Sequence, residues 1–245
     1  MSTLKFLGSP VTHSEYSELR ANCYRSYHYL SGPNTLVCPR YINPLINIQV
    51  FLTYINNINP GTEGVRFYPG FENDTLILSM CHDKCKTVDF QAQVWSTLSN
   101  NLYLNPNSVL STKDQAKAKL YKDNYDKNIY INGLPQLPGD RTRTSRFYTF
   151  AELEKLITDN VSAAQYSSHF IQIEWGMVYD NMTSILNGRC PVDNPNQHYG
   201  FTVLFHIKDE DGNPMINTNQ EYEANQYSRT YLEVGSPCPP RCGII

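Results

Sequence analysis

The sequence predicts a mainly β protein: a β-sandwich, jelly-roll-like, with an N-terminal amphipathic helix and one or two further helices. Three observations predict it. Short stretches of alternating apolar and polar residues recur along the 245 residues, separated by turn pairs such as Pro60-Gly61, Pro69-Gly70 and Asp211-Gly212. No regular alternation of strand and helix appears, which argues against a doubly wound parallel sheet. Tyrosine (18) and asparagine (24) are abundant, and they favour strands and turns respectively. No internal repeat, linker or low-complexity segment is visible. The chain is therefore divided only into an N-terminal helical arm, residues 1–32, and one sandwich domain, residues 33–245.

The first element is an amphipathic helix over Thr12 to Leu30. Thr12 followed by Glu15 has capping-box spacing, which satisfies N–H groups at a helix start. Tyr16, Leu19, Cys23, Tyr27 and Leu30 recur at spacings of three and four and form one stripe, flanked by Tyr24 and Tyr29. Ser31-Gly32-Pro33 stops the helix. Tyrosine buries a ring and keeps a hydroxyl free to bond, so the stripe reads as an interface to a neighbouring subunit. On that reading, deleting residues 1–30 leaves a folded remainder that fails to assemble.

Ile48 to Ile55 reads as a strand with Ile48, Val50, Leu52 and Tyr54 on one face. Thr75 to Met80 is a short apolar strand, and Thr87 to Leu98 alternates cleanly. Thr112 to Tyr121 reads as a short helix with Ala116 and Leu120 inward, and Ile129 to Ile131 as a brief strand. Pro135 to Arg146 is a loop. Thr149 and Glu152 form a second capping box, before a stripe of Leu153, Ile157, Val161 and Ala164. Strands follow at Phe170 to Tyr179, His198 to Lys208 and Tyr227 to Val234, with a turn at Asp209 to Pro214 and an irregular tail.

The formal net charge of −3 is too near zero to suggest a nucleic-acid or membrane partner. No stretch approaches the roughly 18 apolar residues of a membrane span, and the first eleven residues lack a signal-peptide pattern. Seven cysteines, an odd number, fit free thiols inside a cell better than a disulfide framework. The sequons at Asn73, Asn160 and Asn181 are discounted on that reading. Charged residues are only 18%, so the polar surface is largely neutral, which promotes association.

Linear catalytic signatures are absent: no G-x-G-x-x-G, phosphate loop, H-E-x-x-H or G-x-S-x-G. Cys81 to Cys85 and Cys238 to Cys242 are two C-x₃-C pairs, which would make a zinc site only by converging in space; no metal is assigned. Cys242-Gly-Ile-Ile fits a prenylation box poorly, because Gly is not aliphatic. His198 and His206 share a strand face but stand roughly 26 Å apart, too far to share a metal. Asp209 to Asn213 has its glycine at the wrong position for a calcium loop and reads as a turn. Arg141, Arg143 and Arg146, beside Thr142, Thr144 and Ser145, form a cluster suited to a phosphate, a partner's carboxylates or ordinary surface salt bridges. No cofactor is implied, and a bound nucleotide at this cluster stays open.

In its tyrosine content, strand pattern, 28.1 kDa size and N-terminal helix, the chain resembles the polyhedrins of insect viruses, the cypovirus type more than the baculovirus type. It lacks the lysine-rich N-terminal region and acidic C-terminal stretch of the baculovirus type. The resemblance implies a structural protein without catalytic activity. It implies homotrimers packed as crystals, the viral occlusion bodies, in the host cell cytoplasm, embedding virus particles and dissolving in alkali. Composition supplies a mechanism for that dissolution. Phenols titrate near pH 10 and thiols near 8.5, so at about pH 10.5 most thiols and over half of the exposed tyrosines would be anions, adding on the order of 15 negative charges per chain. Two other readings stay open: a sandwich binding module that holds a nucleotide, glycan or protein through its loops, and an enzyme with a non-linear site around His82, His169 or the arginines.

Overall fold

The computed structural model describes residues 9–10, 13–58, 60–83, 102–104, 110–112, 115–131, 134–135, 145–179, 199–215, 231–233 and 236–237. In chain order the elements begin with β1 (Ser9–Pro10), α1 (His13–Ser26), β2 (Tyr27–Leu30), β3 (Leu36–Val37), β4 (Arg40–Tyr41), β5 (Leu45–Asn47) and α2 (Ile48–Asn56). Then come β6 (Gly64–Glu72), β7 (Thr75–Asp83), β8 (Leu102–Leu104), β9 (Leu110–Thr112), α3 (Gln115–Asn128), β10 (Ile129–Ile131) and β11 (Leu134–Pro135). The last are β12 (Arg146–Thr149), α4 (Phe150–Thr158), β13 (Phe170–Tyr179), β14 (Tyr199–Lys208), β15 (Tyr231–Glu233) and β16 (Ser236–Pro237).

Among the described residues the strands form three sheets. One runs β1-β15-β14-β13-β5; a small one runs β11-β10-β2-β3; a third runs β16-β12-β6-β7-β8-β9, with β4 parallel to β7. The architecture is β-rich and mixed, with four α-helices among the described residues, one more than the sequence reading allowed. The helices are also integral to the packing.

Alternation works as expected in the long β13–β14 ladder. Ile171, Ile173, Trp175 and Met177 oppose Ile207, Phe205, Val203 and Phe201 on one buried face. That face meets the third sheet: the Phe67 ring lies 5.4 Å from Phe205, and Tyr148 donates its hydroxyl to Val203 O at 2.6 Å. The core therefore sits between these two sheets, with α2 and α4 packed beside it through Phe51, Ile55, Leu153 and Ile157.

Three expectations are corrected. Residues 48–56 are helix α2, not a strand. The buried set Ile48, Phe51, Leu52 and Ile55 has spacing three, four and seven, and Val50 is exposed. Asn47 decides the matter locally, because its Oδ1 accepts from Gln49 N at 3.0 Å and Val50 N at 3.4 Å and so caps the helix. Helix α1 ends at Ser26, and Tyr27 to Leu30 are strand β2; the His28 ring nitrogen lies 3.1 Å from Ser26 O at the junction. The helix after residue 112 is longer than expected and turned differently. Ala118, Tyr121 and Tyr125 face in, while Ala116 and Leu120 face out. It approaches β6 closely at Gly70, where an added Cβ would stand 3.0 Å from Tyr121 Cβ.

The capping box at Thr149 is present as expected: Glu152 N donates to Thr149 Oγ1 at 3.2 Å, and Thr149 N donates to the Glu152 carboxylate at 2.6 Å. Leu153, Ile157 and Val161 are buried, but Ala164 is exposed in a 3₁₀ turn. The Asp209 turn is held by its own carboxylate, which accepts from Asp211 N and Asn213 N at 3.0 and 2.8 Å. The whole of the expected Thr87 to Leu98 strand, the Thr12 cap, Arg141, Arg143, His198, Cys85, Cys238 and Cys242 lie outside the described residues.

Candidate functional site

The tyrosine stripe of the first helix is turned into the chain's own core. Tyr16, Leu19, Cys23 and Tyr27 are buried, so these four side chains are not presented to a neighbouring subunit, contrary to expectation. The physical reason lies in β13 and β14. Their second face carries Gln172, Glu174, Thr202, Leu204 and His206, all buried, and α1 packs on it along β13, with Tyr16 against Glu174 and His206. The segment expected to project as an arm is thus part of the domain's packing. Tyr24 packs against Tyr41 with ring centres 4.3 Å apart and accepts from Asn43 Nδ2 at 2.9 Å. Tyr29 lies against Phe71, and Leu30 remains 44% exposed.

Under α1 sits a polar cluster, buried except for Arg20, that no short-range pattern in the chain assembles. Tyr16 donates its hydroxyl to the Glu174 carboxylate, Arg20 Nε stands 3.4 Å from the same oxygen, and the Tyr16 ring lies 5.3 Å from that of His206. The only local signal was a lone acid in an apolar strand, Ile173-Glu174-Trp175. A carboxylate there requires partners, because an unpaired buried charge is costly.

A second cluster lies on the third sheet. Arg66 on β6 donates to Asp83 on β7, and its other arm reaches Ser145 Oγ at 3.2 Å. Phe147 covers the guanidinium at 5.0 Å. Arg66 is fully buried, and sequence reasoning missed it; a charged residue between Val65 and Phe67 was the available signal. Arg146, expected in an exposed basic loop, instead belongs to β12, where it is buried and pairs with Phe67 and Pro237. It stands in a sheet, so it is not a loop fork open to a phosphate.

The remaining candidates are engaged locally. His82 Nε2 lies 3.1 Å from Tyr54 O, and His169 Nδ1 lies 3.0 Å from Ser168 Oγ. Among the described residues no group of three or more His, Cys, Asp or Glu could hold a metal ion. No helix among them is long and apolar enough to cross a membrane.

The core also holds ionisable groups in an apolar setting. Burial pushes the phenols of Tyr27, Tyr41 and Tyr54 and the thiols of Cys23 and Cys81 well above their ordinary values, because each would have to carry its charge away from water. Tyr125 donates to the Tyr27 hydroxyl at 3.1 Å, and Tyr41 donates to Cys23 O at 3.2 Å. Burial thus opposes ionisation of these five groups in the folded chain, which corrects the expectation for the thiols of Cys23 and Cys81 and leaves the alkaline charge to the exposed phenols. His82 is shifted the other way, downward, by the same desolvation.

One open groove of about 440 Å³ lies between the Asn73–Asp74 turn, the end of α3 and the small sheet. Tyr29 and Leu30, two of the residues expected at an interface, help line it. No family model, no curated protein and no solved structure matches this chain.

Proposed function

We propose that this chain is a structural protein that associates with copies of itself and packs, as the polyhedrins do, into intracellular crystals. The observation that carries the reading is the outer edge of the small sheet. Strand β3 pairs with β2 and has no neighbour on its other side among the described residues. Leu36 on that edge and its cross-strand partner Leu30 are 39% and 44% exposed. A strand edge offers unpaired N–H and C=O groups to another chain, and the two-residue β3 carries neither a charge nor a proline to block it. The edge replaces the helix stripe as the contact. A homotrimer in the host cytoplasm, enclosing virus particles and built on a jelly-roll-like sandwich, is the finer form of the reading. The meeting of Phe67 and Tyr148 with Phe205 supports the sandwich. The low charge and the alkali-sensitive core support a lattice that opens at high pH.

The test is expression of the full chain in cells, with microscopy for crystals, followed by light scattering on the purified protein. Parent chain should form particles or oligomers. Leu30→Lys with Leu36→Lys should give a folded monomer, since both side chains are on the surface. A parent chain that stays monomeric at high concentration sinks the proposal.

A further inference from the structure

The groove beside the Asn73–Asp74 turn shares Leu30 with the edge proposed for assembly, and the rest of its lining comes from other segments. Its volume, about 440 Å³, falls within the range of about 300–1,000 Å³ usual for small-ligand sites. Its lining is polar without being of one sign. Glu72 and Asp74 bring carboxylates and Lys127 an ammonium, and none of the three makes a salt bridge among the described residues. Asn73, Asn124 and Asn128 add amides, each able to donate and accept. Tyr29, with its ring 5.4 Å from Phe71, and the half-exposed Leu30 supply an apolar patch.

The groove is also pre-formed at its turn. Asn73 and Asp74 both hold positive φ, 47° and 62°, the pair of left-handed residues that a tight two-residue hairpin requires. Arg40 N donates to Asp74 O at 2.9 Å, and Thr75 Oγ1 donates to Asn73 O at 3.1 Å. A ligand meeting these two side chains orders little new structure, which lowers the entropy cost of binding.

These features exclude several ligand classes. A phosphate or nucleotide needs surplus cations or a helix N-terminus. Here two carboxylates face one ammonium, and the helix end nearby is the C-terminal end of α3, which carries partial negative charge. A multivalent metal needs a grouping of ligands that the described residues do not form. A lipid needs a predominantly apolar lining. A class that fits the amides, the mixed charges and the Tyr29–Leu30 patch together has many hydroxyls, no negative charge and one apolar face.

We infer that this groove is a binding site for a neutral saccharide. Asn73, Asp74, Glu72 and the α3 asparagines bond its hydroxyls, and Tyr29 with Leu30 meets its C–H face. The experiment is calorimetry and saturation-transfer NMR on the full chain with neutral oligosaccharides of hexose and N-acetylhexosamine. Inorganic phosphate, a nucleoside triphosphate and a sialylated oligosaccharide serve as contrasts. A neutral oligosaccharide should bind one to one, and the contrasts should bind at least about tenfold more weakly. Asn73→Gly with Asp74→Gly keeps the positive φ and removes both side chains. It should weaken binding by about tenfold or more while circular dichroism and the melting temperature hold. Three results overturn the inference: no neutral oligosaccharide binds at millimolar concentration, an anionic contrast binds as tightly, or the glycine variant binds like the parent.

Discussion

Raising the pH tests the core directly. The folded chain holds Tyr27, Tyr41, Tyr54, Cys23 and Cys81 protonated by burial. In the unfolded chain phenols ionise near pH 10 and thiols near 8.5. Each group has its folded value raised, so its contribution to stability is whole below the unfolded value and is lost as the pH climbs toward the folded one. Each unit of pH above the unfolded value removes about 1.4 kcal/mol per group. At about pH 10 the two thiols lose about 2 kcal/mol each and the three phenols about 0.4 each, near 5 in all. At about pH 11 the thiols lose about 3.4 each and the phenols about 1.4 each, near 11 in all. Domain stabilities run at about 5–15 kcal/mol, so the fold should open cooperatively between about pH 10 and 11. Dissolution of an assembly would then follow from unfolding rather than from repulsion between intact subunits. The assay follows tyrosinate absorbance and near-ultraviolet circular dichroism together through the titration. The buried phenols should ionise only as the tertiary signal collapses. Tyr54→Phe isolates one group, because the Tyr54 hydroxyl is buried with no hydrogen-bond partner among the described residues. The variant should match or exceed the parent at neutral pH and gain about 1.4 kcal/mol over it near pH 11, moving the midpoint up by about 0.2 unit. If every tyrosine titrates near pH 10 with the tertiary signal intact, the burial argument is wrong.

Two further outcomes follow from the packing. Asp83→Ala strands a fully buried guanidinium and should cost about 3–5 kcal/mol in urea unfolding, while a combined Asp83→Ala, Arg66→Met chain should recover much of that loss; equal stability in parent and single variant would show the pair to be dispensable. Deleting residues 1–30 removes Leu19, Cys23 and Tyr27 from the core and strips Glu174 of its Tyr16 and Arg20 partners, so the remainder should show no cooperative unfolding transition; a folded but unassembled remainder would restore the helix as an arm.

Local chemistry determined a good part of this protein from sequence alone. The Thr149–Glu152 box, the strands over Phe170 to Tyr179 and residues 199–208, and the Asp209 turn are all where the residues place them. Each depends on groups a few positions apart. Residues 48–56 were ambiguous because Ile48 and Leu52, four apart, satisfy both periods, while Ile55 at spacing seven fits only the helix, and the Asn47 cap tipped the balance toward helix. The groove was not legible, since it joins a hairpin turn to a helix end about fifty residues away. The same holds for the Tyr16–Glu174 contact, which spans 158 positions. Above all, the sequence determined that the Tyr16–Leu19–Cys23 face of the first helix must be covered. Only the tertiary structure decided what covers it. Periodicity records that a face avoids water, not whose surface it meets, and here the β13–β14 ladder of the same chain supplies that surface.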